Sequence, residues 1–169
     1  MKLDVTSVFK NSDEKLEFDY EDSFADFALP SGENPVKEPL RVKGGVFTRH
    51  GAVTIEFSVS GELELTCDRC LKTYSLPLSC PFSAVVSNDE GEEENEKLIV
   101  AYGQLLDLAE LSRMALLLWL PVKQLCREDC PGLCPICGAD LSQGDCGCVR
   151  QRIDPRLEGL RKLLEQKED

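Results

Sequence analysis

Positive charge is scarce in this chain. Its 169 residues hold 19 Lys/Arg against 31 Asp/Glu, a formal net charge of −12. The deficit is uneven: residues 1–120 carry 11 basic and 22 acidic side chains, whereas residues 121–169 carry 8 and 9. A strongly acidic body is not drawn to phosphate backbones. Any direct contact with nucleic acid therefore falls to the near-neutral C-terminal third, where Arg127, Arg150, Arg152 and Arg156 cluster. Long apolar runs are missing too. The longest, Met114 to Leu120, falls far short of the roughly 20 residues that cross a bilayer, so no membrane partner is expected. The opening MKLDVTSVFK has no apolar core followed by a cleavage site. No export is expected, and the cytoplasm keeps thiols reduced.

Catalytic groups are equally thin. The single histidine, His50, lies in the apparent turn Arg49-His50-Gly51 and needs no functional explanation there. No Ser/His/Asp set can be built around one unsupported histidine, and no Gly-rich phosphate loop is present. Carboxylates crowd together only in NDEGEEENEK, residues 88–97, which reads as a solvated loop. Neither an enzyme nor a small-molecule substrate is expected.

What is present points to a folded β-rich body. Hydrophobic residues make up 42% of the chain and charged residues 30%, a globular composition. The length suits one core domain with a small appendage. MKLDVTSVF reads as a strand with Leu3 and Val5 on one side. Residues 19–39, acidic and broken by Pro30, Gly32, Pro35 and Pro39, read as loop or edge structure. RVKGGVF precedes the His50 turn as a partner strand. Val53, Ile55, Phe57 and Val59 then alternate with polar residues, and the alternation resumes after Ser60-Gly61 at Leu63, Leu65 and Cys67. A third run alternates at Tyr74, Leu76, Leu78, Cys80 and Phe82. Period 2 means one buried and one wet face. Pro77 and Pro81 place the third run at an edge, since proline cannot donate to a ladder.

LIVAY reads as a short strand. A helix follows over DLAELSRMALLLWL, with Asp107 as its cap and Glu110 three residues on. Leu108, Leu111, Ala115, Leu118 and Trp119 are expected on its buried stripe, with Leu116 and Leu117 off it and Pro121 ending it. A helix this apolar either packs between two elements or presents a partner-binding face. DPRLEGLRKLLEQ begins a second helix with Asp154 at the cap and Pro155 at the first position; Leu157, Leu160 and Leu164 form its stripe. The expected fold is α+β: an antiparallel, partly barrel-like β core with a long helix, then a C-terminal Cys-rich zinc module and a short helix. The expected divisions are 1–121, 122–150 and 151–169.

The chemistry lies in the cysteines. Eight of the nine fall in close pairs: Cys67/Cys70, Cys126/Cys130, Cys134/Cys137 and Cys146/Cys148. Eight thiols in a reduced chain fit two tetrahedral four-thiolate sites. Zinc is the default metal, because structural zinc is redox-inert and four-coordinate. In CPICG, residues 134–138, Gly138 permits the tight turn of a zinc knuckle, and its amide is expected to donate to a thiolate sulfur. Eight residues separate Cys137 from Cys146, so these two pairs can close one site at small loop-entropy cost. That leaves Cys126 and Cys130 to meet Cys67 and Cys70, whose CDRC turn sits at a hairpin tip. One site could instead join Cys126 or Cys130 to the CPICG knuckle and leave CDRC free. Residues 122–150 hold few apolar side chains, and bound zinc supplies about 10–16 kcal/mol in finger peptides. Arg69, Arg127 and Arg150 are placed in sequence to offset the formal −2 of a four-thiolate zinc. Cys80, alone on an alternating strand position, reads as a small buried residue.

The order of these motifs is distinctive: CDRC ending an alternating strand, a Leu-rich helix, LPVKQLC, CREDCPGLCPICGADL, CGC and DPRLEGL. It resembles the YceD family, the bacterial large ribosomal RNA subunit accumulation proteins, in a cysteine-rich form. Members without the CPxCG knuckle still carry C-x-R-C, which suits two separable sites. The resemblance implies a cytoplasmic, non-enzymatic factor for accumulation of large-subunit (23S) ribosomal RNA and ribosome assembly. The implied partner is ribosomal RNA or a large-subunit precursor. The acidic N-terminal part is unlike a simple RNA binder and suits action through a basic ribosomal protein or assembly factor. Two other readings use the same residues: a zinc-stapled protein-interaction adaptor unrelated to ribosomes, and a thiol redox sensor at Cys67/Cys70.

Overall fold

The computed structural model describes residues 1–88, 98–101 and 104–148. Most of the expected charged loop, the C-terminal helix from Asp154, and Arg150, Arg152 and Arg156 lie outside the described residues. The chain divides into two compact units. One comprises Met1–Thr66 and Thr73–Gln124; the other comprises Cys67–Lys72 and everything from Leu125 onward.

The first unit is built on a five-stranded sheet. Strand β1 (Lys2–Asp4) is followed by helix α1 (Thr6–Lys10), so the expected N-terminal strand is cut short. Asp4 accepts from the Thr6 amide at 2.9 Å and turns the chain into that helix. Next come β2 (Lys15–Asp22), β3 (Leu40–Arg49), β4 (Ala52–Thr66), β5 (Thr73–Ser87) and β6 (Leu98–Val100). The sheet order is β2-β3-β4-β5-β6. Pairing is antiparallel except for β6, which runs parallel to Val85–Ser87. Strand β7 (Leu105–Asp107) pairs with β1 as a separate two-stranded ribbon. Strands β2 and β6 are the edges of an open sheet, and no barrel closes among the described residues. Pro77 and Pro81 lie on the stretch of β5 that β6 does not reach, where a missing donor costs no ladder bond.

Two sequence expectations are corrected here. Ser60-Gly61 is not a break: β4 runs straight through it for 15 residues. The physical reason is phase. Buried Val53, Ile55, Phe57, Val59, Leu63 and Leu65 all occupy odd positions, so a single strand carries them on one face. Helix α2 (Leu108–Trp119) is capped as expected, Asp107 accepting from Ala109 and Glu110. It spans only 12 residues, and its buried face is Leu108, Leu111, Ser112, Ala115 and Leu116. Leu116 thus joins the buried stripe and Leu118 leaves it. At about 100° per residue Leu116 and Leu118 lie about 80° to either side of Leu108, so the helical period alone does not separate them and packing against the sheet unit selects Leu116. The residue before Pro121 is extended (Leu120, ψ 132°), as the proline ring requires.

The register places Phe18, Gly44, Phe57 and Phe82 side by side across four strands. Gly44 is the gap in that row. A Cβ there would lie 2.2 Å from the Glu56 carbonyl oxygen and 2.3 Å from the Phe57 Cβ. Its absence lets the Phe18 and Phe57 rings approach to 6.2 Å. On the opposite face charges meet in pairs, Arg41 with Asp19 and Arg49 with Glu56, each at 2.7 Å. His50 has φ 52° and Gly51 φ 82°, the two-residue hairpin turn expected between β3 and β4. Cys80 is buried and its thiol donates to the Ala115 carbonyl at 3.4 Å. No helix among the described residues is long and apolar enough to cross a membrane.

Candidate metal centres

The second unit contains all eight paired cysteines. Residues 67–72, the tip between β4 and β5, fold with the segment after α2. The local fold begins with two copies of one turn. In the first, the Cys67 amide donates to the Lys72 carbonyl at 2.9 Å and the Leu71 amide to the Cys67 carbonyl at 2.9 Å. In the second, Cys134 donates to Ala139 at 2.8 Å and Gly138 to the Cys134 carbonyl at 2.8 Å. Leu71 and Gly138 occupy the same place in the turn, with φ of 58° and 74°. Glycine fits that left-handed backbone; leucine is strained there. The Gly138 amide therefore serves the carbonyl of the leading cysteine, not a sulfur.

The sulfur atoms receive other donors. Burial alone would push the Cys67 thiol up, but main-chain amides of Cys126, Cys70 and Arg69 donate to it and hold it at about 6. The amides of Cys137 and Ile136 hold Cys134 at about 6. In each turn the leading sulfur thus accepts from the second and third residues after it. Their neighbours move the other way. Cys126 is pushed up to about 12 by burial and by the surrounding sulfurs, and Cys148 to about 12 by Cys137 and Cys146, then by burial. Four close thiols cannot all ionise without a cation among them.

The structure brings the sulfurs together in two sets: Cys67, Cys70, Cys126 and Cys130, and Cys134, Cys137, Cys146 and Cys148. Within each set every sulfur lies within 4.8 Å of the others. Cys67 and Cys130 are 3.8 Å apart, as are Cys70 and Cys126. A tetrahedral zinc with bonds of about 2.3 Å sets its ligand sulfurs about 3.8 Å apart. Disulfide sulfurs would be about 2.05 Å apart, and all nine cysteines are free. Donor chemistry and spacing both fit a four-thiolate metal. The first set is the deeper one, with Cys67, Cys70 and Cys130 buried; in the second only Cys134 is buried.

Arg69 and Lys72 tie the two turns together. The Arg69 guanidinium donates to the Cys130 carbonyl at 2.8 Å, and the Arg69 carbonyl accepts from Leu133 at 3.1 Å. Lys72 pairs with Asp140, which caps the short 3-10 turn Leu141–Gln143 through Ser142. The Asp140 carboxyl is held well below the carboxylate range, first by Lys72 and then by Ser142. Lys72 is raised by Asp140, with smaller contributions from Cys70 and Cys126. Sequence reasoning missed Lys72 and Asp140, since nothing in their spacing links them. Of the arginines expected to offset the thiolates, Arg69 donates within the first set's turn and Arg127 pairs with Asp129 at 3.3 Å.

These cysteine sets fall inside the stretch that identifies the chain. A family profile described as "Large ribosomal RNA subunit accumulation protein YceD" matches residues 55–164. The chain belongs to the YceD family. It is similar to the uncharacterized protein YlbN of Bacillus subtilis, 27% identical over 136 residues, covering 78% of this chain and 77% of that protein. It is also similar to the uncharacterized protein Rv2926c of Mycobacterium tuberculosis, 39% identical over 83 residues. That match covers 49% of this chain and only 39% of the mycobacterial protein. No solved structure matches the chain. Membership in the YceD family links this protein to accumulation of large-subunit ribosomal RNA.

Proposed function

We propose that this protein is a non-enzymatic cytoplasmic factor supporting accumulation of 23S ribosomal RNA and large-subunit assembly. In this reading its eight paired cysteines hold two structural zinc ions. Residues 1–121 form its β-rich body, of which the 67–72 tip folds with the zinc module of 122–150, and 151–169 form a terminal helix. The observation that carries the reading is the family match across both cysteine sets, each spaced for one tetrahedral ion. Bound zinc would supply the cohesion that residues 122–150 lack in apolar side chains. Cys67, Cys70, Cys126 and Cys130 would hold one ion, and Cys134, Cys137, Cys146 and Cys148 the other. The partner is ribosomal RNA or a large-subunit precursor, reached through a basic ribosomal protein or assembly factor that the acidic body suits.

Depletion of the protein tests the reading. The expected result is a fall of 23S relative to 16S RNA and a loss of large subunits in gradient profiles. Unchanged RNA ratios and profiles would remove the ribosomal assignment. Metal content without ribosomal co-sedimentation would leave a zinc-stapled adaptor. One observation favours a thiol redox reading instead: Cys67 and Cys134 each lead a C-x-x-C turn and sit at about 6, the range of reactive thiolates. That reading requires a reversible Cys67–Cys70 disulfide and little bound metal in the purified protein.

A further inference from the structure

Helix α2 has two apolar faces, and the sheet unit buries only one. Opposite the buried face, Met114, Leu117 and Leu118 are 38%, 53% and 76% exposed. Their spacing of three and four residues aligns them in one stripe. Glu110, exposed one turn earlier, begins the same stripe, and fully exposed Val122 follows just beyond the helix. Single surface leucines need no explanation, but a contiguous apolar stripe marks an interaction surface.

We propose that this stripe docks a cationic amphipathic helix of another protein. The net charge of the unit that carries it favours a cationic occupant. The unit carrying α2 has 10 Lys/Arg against 21 Asp/Glu. The last turn of α2 has no basic residue, so its carbonyl end presents a partial negative charge near Leu117 and Leu118, with Lys123 the next basic residue in sequence. Glu110 adds a full charge at the other end. A polypeptide with leucine-type anchors flanked by lysines satisfies the apolar stripe and both ends. A second copy of this chain would bring the same stripe and the same negative charge, which disfavours self-association. RNA is disfavoured on the same ground and offers no apolar face. The proposal depends neither on the metal nor on the ribosomal assignment.

The test uses the full chain and a synthetic amphipathic leucine–lysine helical peptide, read by the fluorescence of Trp119, the sole tryptophan. Saturable 1:1 binding that weakens with added salt is expected. Leu117→Ser and Leu118→Ser should each weaken it about tenfold, the value of burying most of a leucine. Val85→Thr, at an exposed apolar position of strand β5 away from the stripe, should leave it unchanged. Four outcomes overturn the proposal: stripe variants that bind like the parent chain; polylysine binding as tightly as the amphipathic peptide; concentration-dependent self-association abolished by Leu118→Ser; or Met114 protected from oxidation in the free monomer, meaning that the chain covers its own stripe. Competition by an RNA oligonucleotide that Leu118→Ser abolishes would place nucleic acid there instead.

Discussion

Replacing Cys67 by serine should cost the protein one metal ion and leave the other. Cys67 is fully buried, accepts three main-chain amides and lies 3.8 Å from Cys130, so no other side chain can take its place. A structural zinc binds finger peptides with about 10–16 kcal/mol. Shared over four sulfurs, one ligand is worth about 2.5–4 kcal/mol, or roughly 10²–10³-fold in affinity. The second set draws its sulfurs only from Cys134 to Cys148. Its turn also keeps the Lys72–Asp140 pair and the Leu133–Arg69 bond. Its ion should therefore survive. Native mass spectrometry after dialysis against a competing chelator reads the count directly. Two ions are expected in the parent protein, one in Cys67→Ser, one in Cys134→Ser, none in the double variant and two in Cys80→Ser. A double variant that keeps one ion would refute the assignment, because both changes would then have struck the same site. So would a Cys67→Ser protein that still carries two.

Other outcomes follow from the same structure. Leu71→Gly should stabilise the first turn by about 1 kcal/mol by relieving its left-handed backbone, and Gly138→Leu should cost a similar amount in the second; thermal midpoints of the zinc-loaded variants read both signs. Gly44→Ala should destabilise the sheet unit by about 1–3 kcal/mol, since its methyl would drive into the β4 backbone; equilibrium denaturation measures it, and a neutral result would contradict the close approach. The Asp19 carboxyl is held below its ordinary 3.8 by its hydrogen bonds from Arg41 and by Lys43. A lowered carboxyl contributes stability above its unfolded value and loses it as pH falls through the folded one. Asp19→Asn should therefore lower the thermal midpoint at neutral pH, with the gap to the parent protein closing below about pH 4.

Much of the sheet was legible because it is written in period 2. Val53 to Leu65 holds one phase, and that phase survives Ser60-Gly61, a dipeptide that looks like a turn only by composition. Asp107 was readable as a cap because capping is local: the carboxylate reaches amides two and three residues on. The buried face of α2 was half legible. With apolar residues nearly all round, the pattern could not say which stripe meets the sheet, and the choice between Leu116 and Leu118 fell to packing. The N-terminal helix and the edge strand β2 were obscured because a three-residue strand and an acidic edge leave weak periodic signals.

For the candidate site, residue order alone determined the four thiol pairs and the tight turns that aim each pair at one point, because such turns depend on neighbours a few residues apart. The tertiary structure decided which pairs meet. Cys67 and Cys130 are 63 positions apart and Cys70 and Cys126 are 56 apart. What joins them is a hairpin of two 15-residue strands whose register carries the CDRC tip, and the Arg69 and Lys72 contacts that seat it. Strand length, register and a lysine meeting an aspartate 68 residues away come from the folded chain as a whole, so no local spacing could have specified them.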